Sequence, residues 1–204
     1  MNVIPWTEKY RPETSSQVCG NSLEFEQVLE YGRQSKNLLL HGPSGTGKSS
    51  AVRVLLKHIP RDSKLILDAK SRASETTQYL IHKLTTFTMR KTSSKQRFVL
   101  VDEVDSIRIN DQKMFIRPLT KDIGNKNNDD DRVLIFIFIC NRIDRVSEFI
   151  IRNCVVINYN SLEFNQAREY LTNICLKENV IYNDDCLKKI FYSIGQDMRK
   201  MVST

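Results

Sequence analysis

The chain is poor in the residues that staple or anchor proteins. Its 204 residues include five cysteines, Cys19, Cys140, Cys154, Cys175 and Cys186, an odd number, widely spaced, with no Cys-x-x-Cys pair. That pattern argues against a disulfide framework or a cysteine zinc site and suits a reducing compartment. The three histidines, His41, His58 and His82, lack metal-ligand spacing. Long hydrophobic runs are missing as well. The longest, residues 133–140, is eight residues, against the roughly 20 that a membrane-spanning helix needs. It reads instead as a strand buried on both faces. Residues 1–6 show no basic segment followed by a long apolar one, so no secretory leader is expected. Glycine is scarce, at seven, yet Gly42, Gly45 and Gly47 fall together.

What is present bounds the problem loosely. The hydrophobic share of 40% is enough for a real core in one large or two small domains. Lys and Arg number 31 against 24 Asp and Glu, a net charge of +7. A basic balance favours a polyanionic partner, but a solvated basic surface has the same composition.

The clustered glycines belong to Gly42-Pro43-Ser44-Gly45-Thr46-Gly47-Lys48-Ser49, followed by Ser50. This fits a phosphate-cradling loop at each fixed position: Gly, four free residues, Gly-Lys, then Ser or Thr. Glycines allow the tight turn that points successive N–H groups at the β-phosphate. Lys48 is placed to reach the β- and γ-phosphates, and the Ser49 hydroxyl to hold Mg²⁺. The context agrees: residues 38–40 read as a short buried strand, and Val52, Leu55, Leu56 and Ile59 have helical spacing.

Apolar runs at 38–40, 65–67, 98–101, 133–140 and 155–157 read as strands, with amphipathic stretches such as 78–87 between them. The alternation predicts a parallel sheet covered by helices. The polar stretch 124–131 reads as a solvated loop rather than a metal site. After Tyr159 the pattern turns helical. Ser161 is expected to cap one helix and Asn183-Asp184 a second, with a third beginning near Met198.

Residues 98–103, Phe-Val-Leu-Val-Asp-Glu, form an apolar strand ending in two carboxylates, with Asp105 just beyond. Beside a phosphate loop, Asp102 can orient the Mg²⁺ shell and Glu103 can polarise the water that attacks the γ-phosphate. Asn141, directly after the long strand, can hydrogen-bond the γ-phosphate or that water. On its own it is as readily a turn former.

Pro5-Trp6-Thr7-Glu8-Lys9-Tyr10-Arg11-Pro12 resembles the opening of replication factor C small subunits, the clamp-loader AAA+ ATPases. Val18-Cys19-Gly20-Asn21, the phosphate loop, Asp102-Glu103-Val104-Asp105, Asn141, Glu178-Asn179-Val180 and Asp197-Met198-Arg199-Lys200 follow in that family's order. The resemblance implies an α/β AAA+ P-loop NTPase with a five-stranded parallel sheet over residues 1–160, then a small, incomplete helical lid over 161–204. It implies that Tyr10, Arg11, Pro12 and Val18 line an adenine pocket, that Asn141 is a first sensor, and that Arg199 reaches from the lid to the γ-phosphate. It also implies ATP and Mg²⁺ as cofactors, and catalysis by Glu103, Lys48, Asn141 and Arg199. The implied partners are other clamp-loader subunits, a sliding clamp and primer–template DNA, with no membrane. The implied setting is the nucleus, or a viral replication site for a virus-encoded chain.

Three departures stand out. The family's Ser-Arg-Cys, whose arginine acts on a neighbouring subunit's ATP, is Arg152-Asn153-Cys154 here. Either Arg152 serves as that trans finger, or this subunit cannot stimulate its neighbour. The family's Asn-Ala-Ser-Asp near strand two reads Asp68-Ala69-Lys70-Ser71-Arg72, and its Gly before Asp-Met-Arg is Gln196. The collar domain that closes the family's ring is expected to be absent. Lys70, Arg72, Lys83, Lys113 and Arg117 are candidates for DNA contact by charge and shape rather than base reading, and each reads as readily as a solvated surface residue. Two rivals remain open: a subunit that binds ATP only structurally, and an AAA+ motor of DNA repair.

Overall fold

A computed structural model describes residues 4–69, 77–90, 92–115, 133–195 and 197–203. Among the described residues, five strands make one parallel sheet: β1 (Leu38–His41), β2 (Lys64–Asp68), β3 (Gln96–Asp102), β4 (Val133–Cys140) and β5 (Val155–Asn158). Their order is β2-β3-β4-β1-β5. The chain therefore leaves β1, one strand in from an edge, passes the places of β4 and β3 to reach β2 at the opposite edge, and later returns to the far side of β1. In open parallel sheets, such a reversal leaves a crevice at the carboxyl ends of the strands.

Alternation explains why β4 is apolar throughout. On one face Leu39, Val99, Val101, Phe136 and Phe138 pack beneath α4 (Thr77–Met89), which contributes Leu80, Leu84 and Phe87. On the other, Leu38, Leu40, Phe98, Leu100, Ile135, Ile137 and Ile139 meet α2 (Ser22–Arg33) and α3 (Lys48–Leu56) through Phe25, Val28, Ala51 and Val52. A strand covered on both faces has no solvent side on which to place polar residues.

Two short helices, α5 (Ile109–Gln112) and α6 (Glu148–Arg152), follow β3 and β4, and α1 (Trp6–Lys9) opens the described chain. Beyond β5, α7 (Phe164–Lys177), α8 (Asp184–Ile194) and α9 (Met198–Ser203) surround a third apolar cluster of Leu162, Leu171, Ile174, Leu187, Phe191 and Met201. Trp6, Tyr10 and Cys19 pack against that cluster, so the N-terminal segment bridges sheet and C-terminal helices. Asn183 caps α8 as expected, its Oδ1 accepting from the Cys186 amide at 2.8 Å. The cap of α7 is Glu163 rather than Ser161: Glu163 and Gln166 form a reciprocal capping box, which satisfies two otherwise orphaned backbone donors at once. The stretch 124–131 lies outside the described residues.

Candidate nucleotide site

A cleft of about 460 Å³ opens where the carboxyl ends of β3 and β4 face the start of α3 and the C-terminal helices. The sequence-predicted residues converge there. Tyr10, Arg11, Pro12 and Val18 line it from the N-terminal segment, and Ser44, Gly45, Thr46, Gly47, Lys48, Ser49 and Ser50 from the loop after β1. Asp102, Glu103 and Asn141 line it from the strand ends, and Arg199 from α9. Gly42 and Pro43 do not line the cleft but shape its loop, their carbonyls accepting the Lys48 ammonium.

Gly42 has φ +139°, and a Cβ there would run into the carbonyl oxygen of Tyr159. Side chains rarely adopt that conformation, and here backbone fills the space as well. Lys48 is buried. Its ammonium donates to the carbonyl oxygens of Gly42 at 2.7 Å and Pro43 at 2.6 Å, and to Asn141 Oδ1 at 3.3 Å. Burial lowers its pKa from 10.5 to about 8, with neighbouring acids pulling the other way. Asp102 is shifted up, mainly by burial, while its Oδ1 accepts the Glu103 amide at 2.9 Å. Glu103 itself sits at φ +54°, ψ +45°, a left-handed conformation that turns the chain sharply off the end of β3. Strained positions of this kind cluster at functional sites.

Three contacts that support the site were not foreseen. Asp105 Oδ2 accepts the backbone amides of Asn141 at 3.2 Å and Arg142 at 3.1 Å, so the turn after β3 holds the turn after β4. Gln112 is fully buried. Its Nε2 donates to the carbonyls of Val104 (3.2 Å), Ile107 (2.9 Å) and Arg145 (2.8 Å), and its Oε1 accepts from Ser147 N at 2.8 Å. It therefore ties the segment next to Glu103 to the start of α6. Nothing in the sequence marks this glutamine. Asn21 donates to Asn160 O at 3.0 Å and accepts from Asn160 N at 2.8 Å, which fastens the end of β5 to the N-terminal segment.

The N-terminal segment is fixed to α7 as well. Lys9 Nζ and Tyr10 Oη both donate to Glu178 Oε1 at 2.6 Å, and Tyr170 Oη donates to the Tyr10 carbonyl. Cys19, Cys140 and Tyr170 also line the cleft, and burial pushes the Cys140 thiol up to about 12.

Other predicted residues lie elsewhere. Arg152 does not line the cleft; its side chain is 78% exposed and pairs with Glu148 at 2.8 Å. Asn153 donates through Nδ2 to Phe149 O at 2.8 Å, closing the end of α6. Lys83 stacks over the Tyr79 ring at 4.2 Å, and Lys113 is exposed after α5. Lys70, Arg72 and Arg117 lie outside the described residues.

The donor set suits the expected ligands. Ser49 and Asp102 offer the hard oxygen ligands that Mg²⁺ prefers, and the loop offers a buried ammonium beside glycine-shaped backbone. No helix among the described residues is long and apolar enough to cross a membrane.

Comparison with known proteins gives a consistent result. Residues 38–161 match the ATPase family associated with various cellular activities (AAA). Over 216 residues the chain is 30% identical to replication factor C subunit 4 of Caenorhabditis elegans, covering 99% of this chain and 62% of that protein. It is 28% identical to a protein of Acanthamoeba polyphaga mimivirus assigned as a replication factor C small subunit, covering 99% and 62%. With replication factor C subunit 4 of Schizosaccharomyces pombe the values are 24%, 98% and 58%. The chain thus spans about three fifths of the length of these relatives. RuvB of Thermotoga maritima has the same fold, with a TM-score of 0.66 at 13% identity over 95% of this chain and 63% of that one.

Proposed function

Because the chain belongs to the AAA family of ATPases and is similar along nearly its whole length to replication factor C small subunits, we propose that it binds and hydrolyses ATP. We propose further that it does so as one subunit of an assembly that places a sliding clamp on primer–template DNA. One observation carries the hydrolytic reading: Lys48, Ser49, Asp102, Glu103, Asn141 and Arg199, drawn from four separate elements, face one cleft.

In this reading the N-terminal segment seats the base, and the loop amides with Lys48 hold the phosphates. Ser49 and Asp102 would hold Mg²⁺, which would supply charge neutralisation at the phosphates. Glu103 orients a water and draws its proton as the oxygen bonds to the γ-phosphorus. The bond to the β,γ-bridging oxygen breaks, releasing ADP, phosphate and a proton. Asn141 and Arg199 stabilise the charge that spreads over the γ-phosphoryl oxygens, and positioned charge is the larger part of such catalysis.

Arg152 is the residue proposed to reach a neighbour's ATP. An exposed ion pair such as Arg152–Glu148 contributes about 0–1 kcal/mol, so leaving it costs little. Asn153, occupied at the end of α6, carries no charge to offer.

The proposal is tested by reconstituting the chain with its partner subunits and measuring ATP turnover with clamp, with primed DNA, and with both. Stimulation that requires both supports clamp loading. Stimulation by DNA alone points to a different AAA+ motor, and no turnover in any mixture points to a structural nucleotide subunit.

A further inference from the structure

Asp197 has no part in the chemistry above, yet its carboxylate sits against the phosphate loop. Its Oδ2 accepts a short hydrogen bond from the Ser44 hydroxyl, at the apex of that loop. Its Oδ1 accepts the backbone amides of Arg199 at 3.0 Å and Lys200 at 3.4 Å, so the same group caps α9. The approach is close: a Cβ added at Gly45 would lie 2.7 Å from both Cα and Cγ of Asp197. Gly45 itself has φ +74°. A glycine is thus required at this position on two counts, conformation and the space that Asp197 fills.

A carboxylate at the mouth of a polyphosphate site is unfavourable unless it is held for a purpose, since like charges at short range repel. Three donors hold this one, and two of them are the amides that begin the helix bearing Arg199. Beneath that helix Met198, Met201 and Val202 are buried in the third apolar cluster. The helix therefore has an apolar seat on one side and a polar tie to the phosphate loop on the other.

On the ATPase reading of the cleft, we infer that Ser44 and Asp197 form a dock that sets the distance of Arg199 from the γ-phosphate position, making both positioning residues for triphosphate recognition. The dock couples loop to helix before any nucleotide arrives. Arg199 then meets the γ-phosphate from a fixed place, with less ordering left to do on binding. ADP lacks the group that Arg199 reads, so the dock acts on ATP over ADP rather than on nucleotides in general.

Equilibrium binding of a fluorescent non-hydrolysable ATP analogue and of fluorescent ADP to the whole chain tests this. The proteins are the wild type, Ser44→Ala, Asp197→Asn, Arg199→Ala and the Ser44→Ala/Arg199→Ala pair. Ser44→Ala is expected to weaken the triphosphate analogue about five- to tenfold, the scale of one typical intramolecular hydrogen bond, and ADP by less than about twofold. Asp197→Asn keeps one oxygen for the cap amides, and its Nδ2 can donate to the Ser44 hydroxyl oxygen in place of accepting from it. The tie survives with its direction reversed, so triphosphate binding is expected to stay within about twofold of wild type. In the Arg199→Ala background, Ser44→Ala is expected to add nothing, because residues acting through one group are not additive. The inference is overturned if Ser44→Ala leaves triphosphate binding unchanged, tightens it, weakens both nucleotides alike, or adds in full to Arg199→Ala. A wild type that binds neither nucleotide would overturn the ATPase reading itself, and this inference with it.

Discussion

The carboxylate of Asp105 accepts the main-chain amide of Asn141, 3.2 Å away and 36 residues on in sequence. A second bond to the Arg142 amide at 3.1 Å makes it a two-point clamp across the ends of β3 and β4. Asn141 thus owes its position over the phosphate loop to a residue that itself touches no phosphate. Asp105→Ala is expected to destabilise the protein by about 1–2 kcal/mol, the scale of losing a partly buried charged acceptor. It is expected to lower kcat more than it raises KM. Urea unfolding and steady-state kinetics check both. Unchanged kcat at reduced stability would make the clamp purely structural.

Gln112 carries more stability than its sequence context suggests. Gln112→Leu preserves the volume but leaves the carbonyls of Ile107 and Arg145 and the Ser147 amide without this partner, while the Val104 carbonyl keeps the Ile107 amide at 3.1 Å. Each buried orphan costs about 1–3 kcal/mol, and partial repair by water reduces the sum, so a loss of about 3 kcal/mol is expected. It would be read as a lower urea midpoint with an unchanged slope. A shift under about 1 kcal/mol would show that these backbone groups find other partners.

Lys48 gives nucleotide binding a pH signature. Burial lowers its pKa from 10.5 to about 8. In the free protein the folded state therefore gives up this proton before the unfolded state does, and stability rises with pH between those two values. Bound phosphates favour the ammonium and raise its pKa. Affinity is therefore full below pH 8 and falls as the pH rises beyond about 8, and binding near that pH takes up a proton. Calorimetry in buffers of different ionisation enthalpy measures the uptake. Affinity that is flat from roughly pH 7 to 9.5, or proton release, would contradict the position given to Lys48.

Arg152 separates cis from trans effects. It lies outside the cleft of its own chain and is mostly exposed. Arg152→Ala is expected to leave the nucleotide affinity of the isolated chain unchanged and to lower turnover of the reconstituted complex by ~100-fold or more, given that trans arginines contribute about 10³–10⁵. Equal turnover in the complex would mean that this subunit supplies no arginine to its neighbour.

The fold and the centre of the site were legible because their signals are local. Residues 42–49 carry their own conformational requirement, and the two-faced burial of β4 is written in its unbroken apolar run. Asp102, Glu103 and Asn141 could be placed because strand ends in a parallel sheet all open on one edge. What was not legible depends on packing across the chain. Gln112 has the composition of any surface glutamine until the turns at 104, 107, 145 and 147 fold around it. Asp197 reads as an ordinary cap until the phosphate loop closes against it. Ser161 misled for the opposite reason: its local capping signal is real, but Glu163 with Gln166 satisfies two backbone groups where a serine satisfies one.

The proposed hydrolytic role of this cleft rests most heavily on Glu103, at the left-handed turn off β3. The direct measurement is ATP turnover and ATP affinity of the wild type beside Glu103→Gln, in isolation and in the reconstituted complex. The expected result is wild-type turnover that falls ~100-fold or more in Glu103→Gln, with ATP affinity kept within about threefold, because a general base acts on the water and not on nucleotide binding. Equal turnover in the two proteins, or a loss of ATP binding that accounts for the lost turnover, would contradict it.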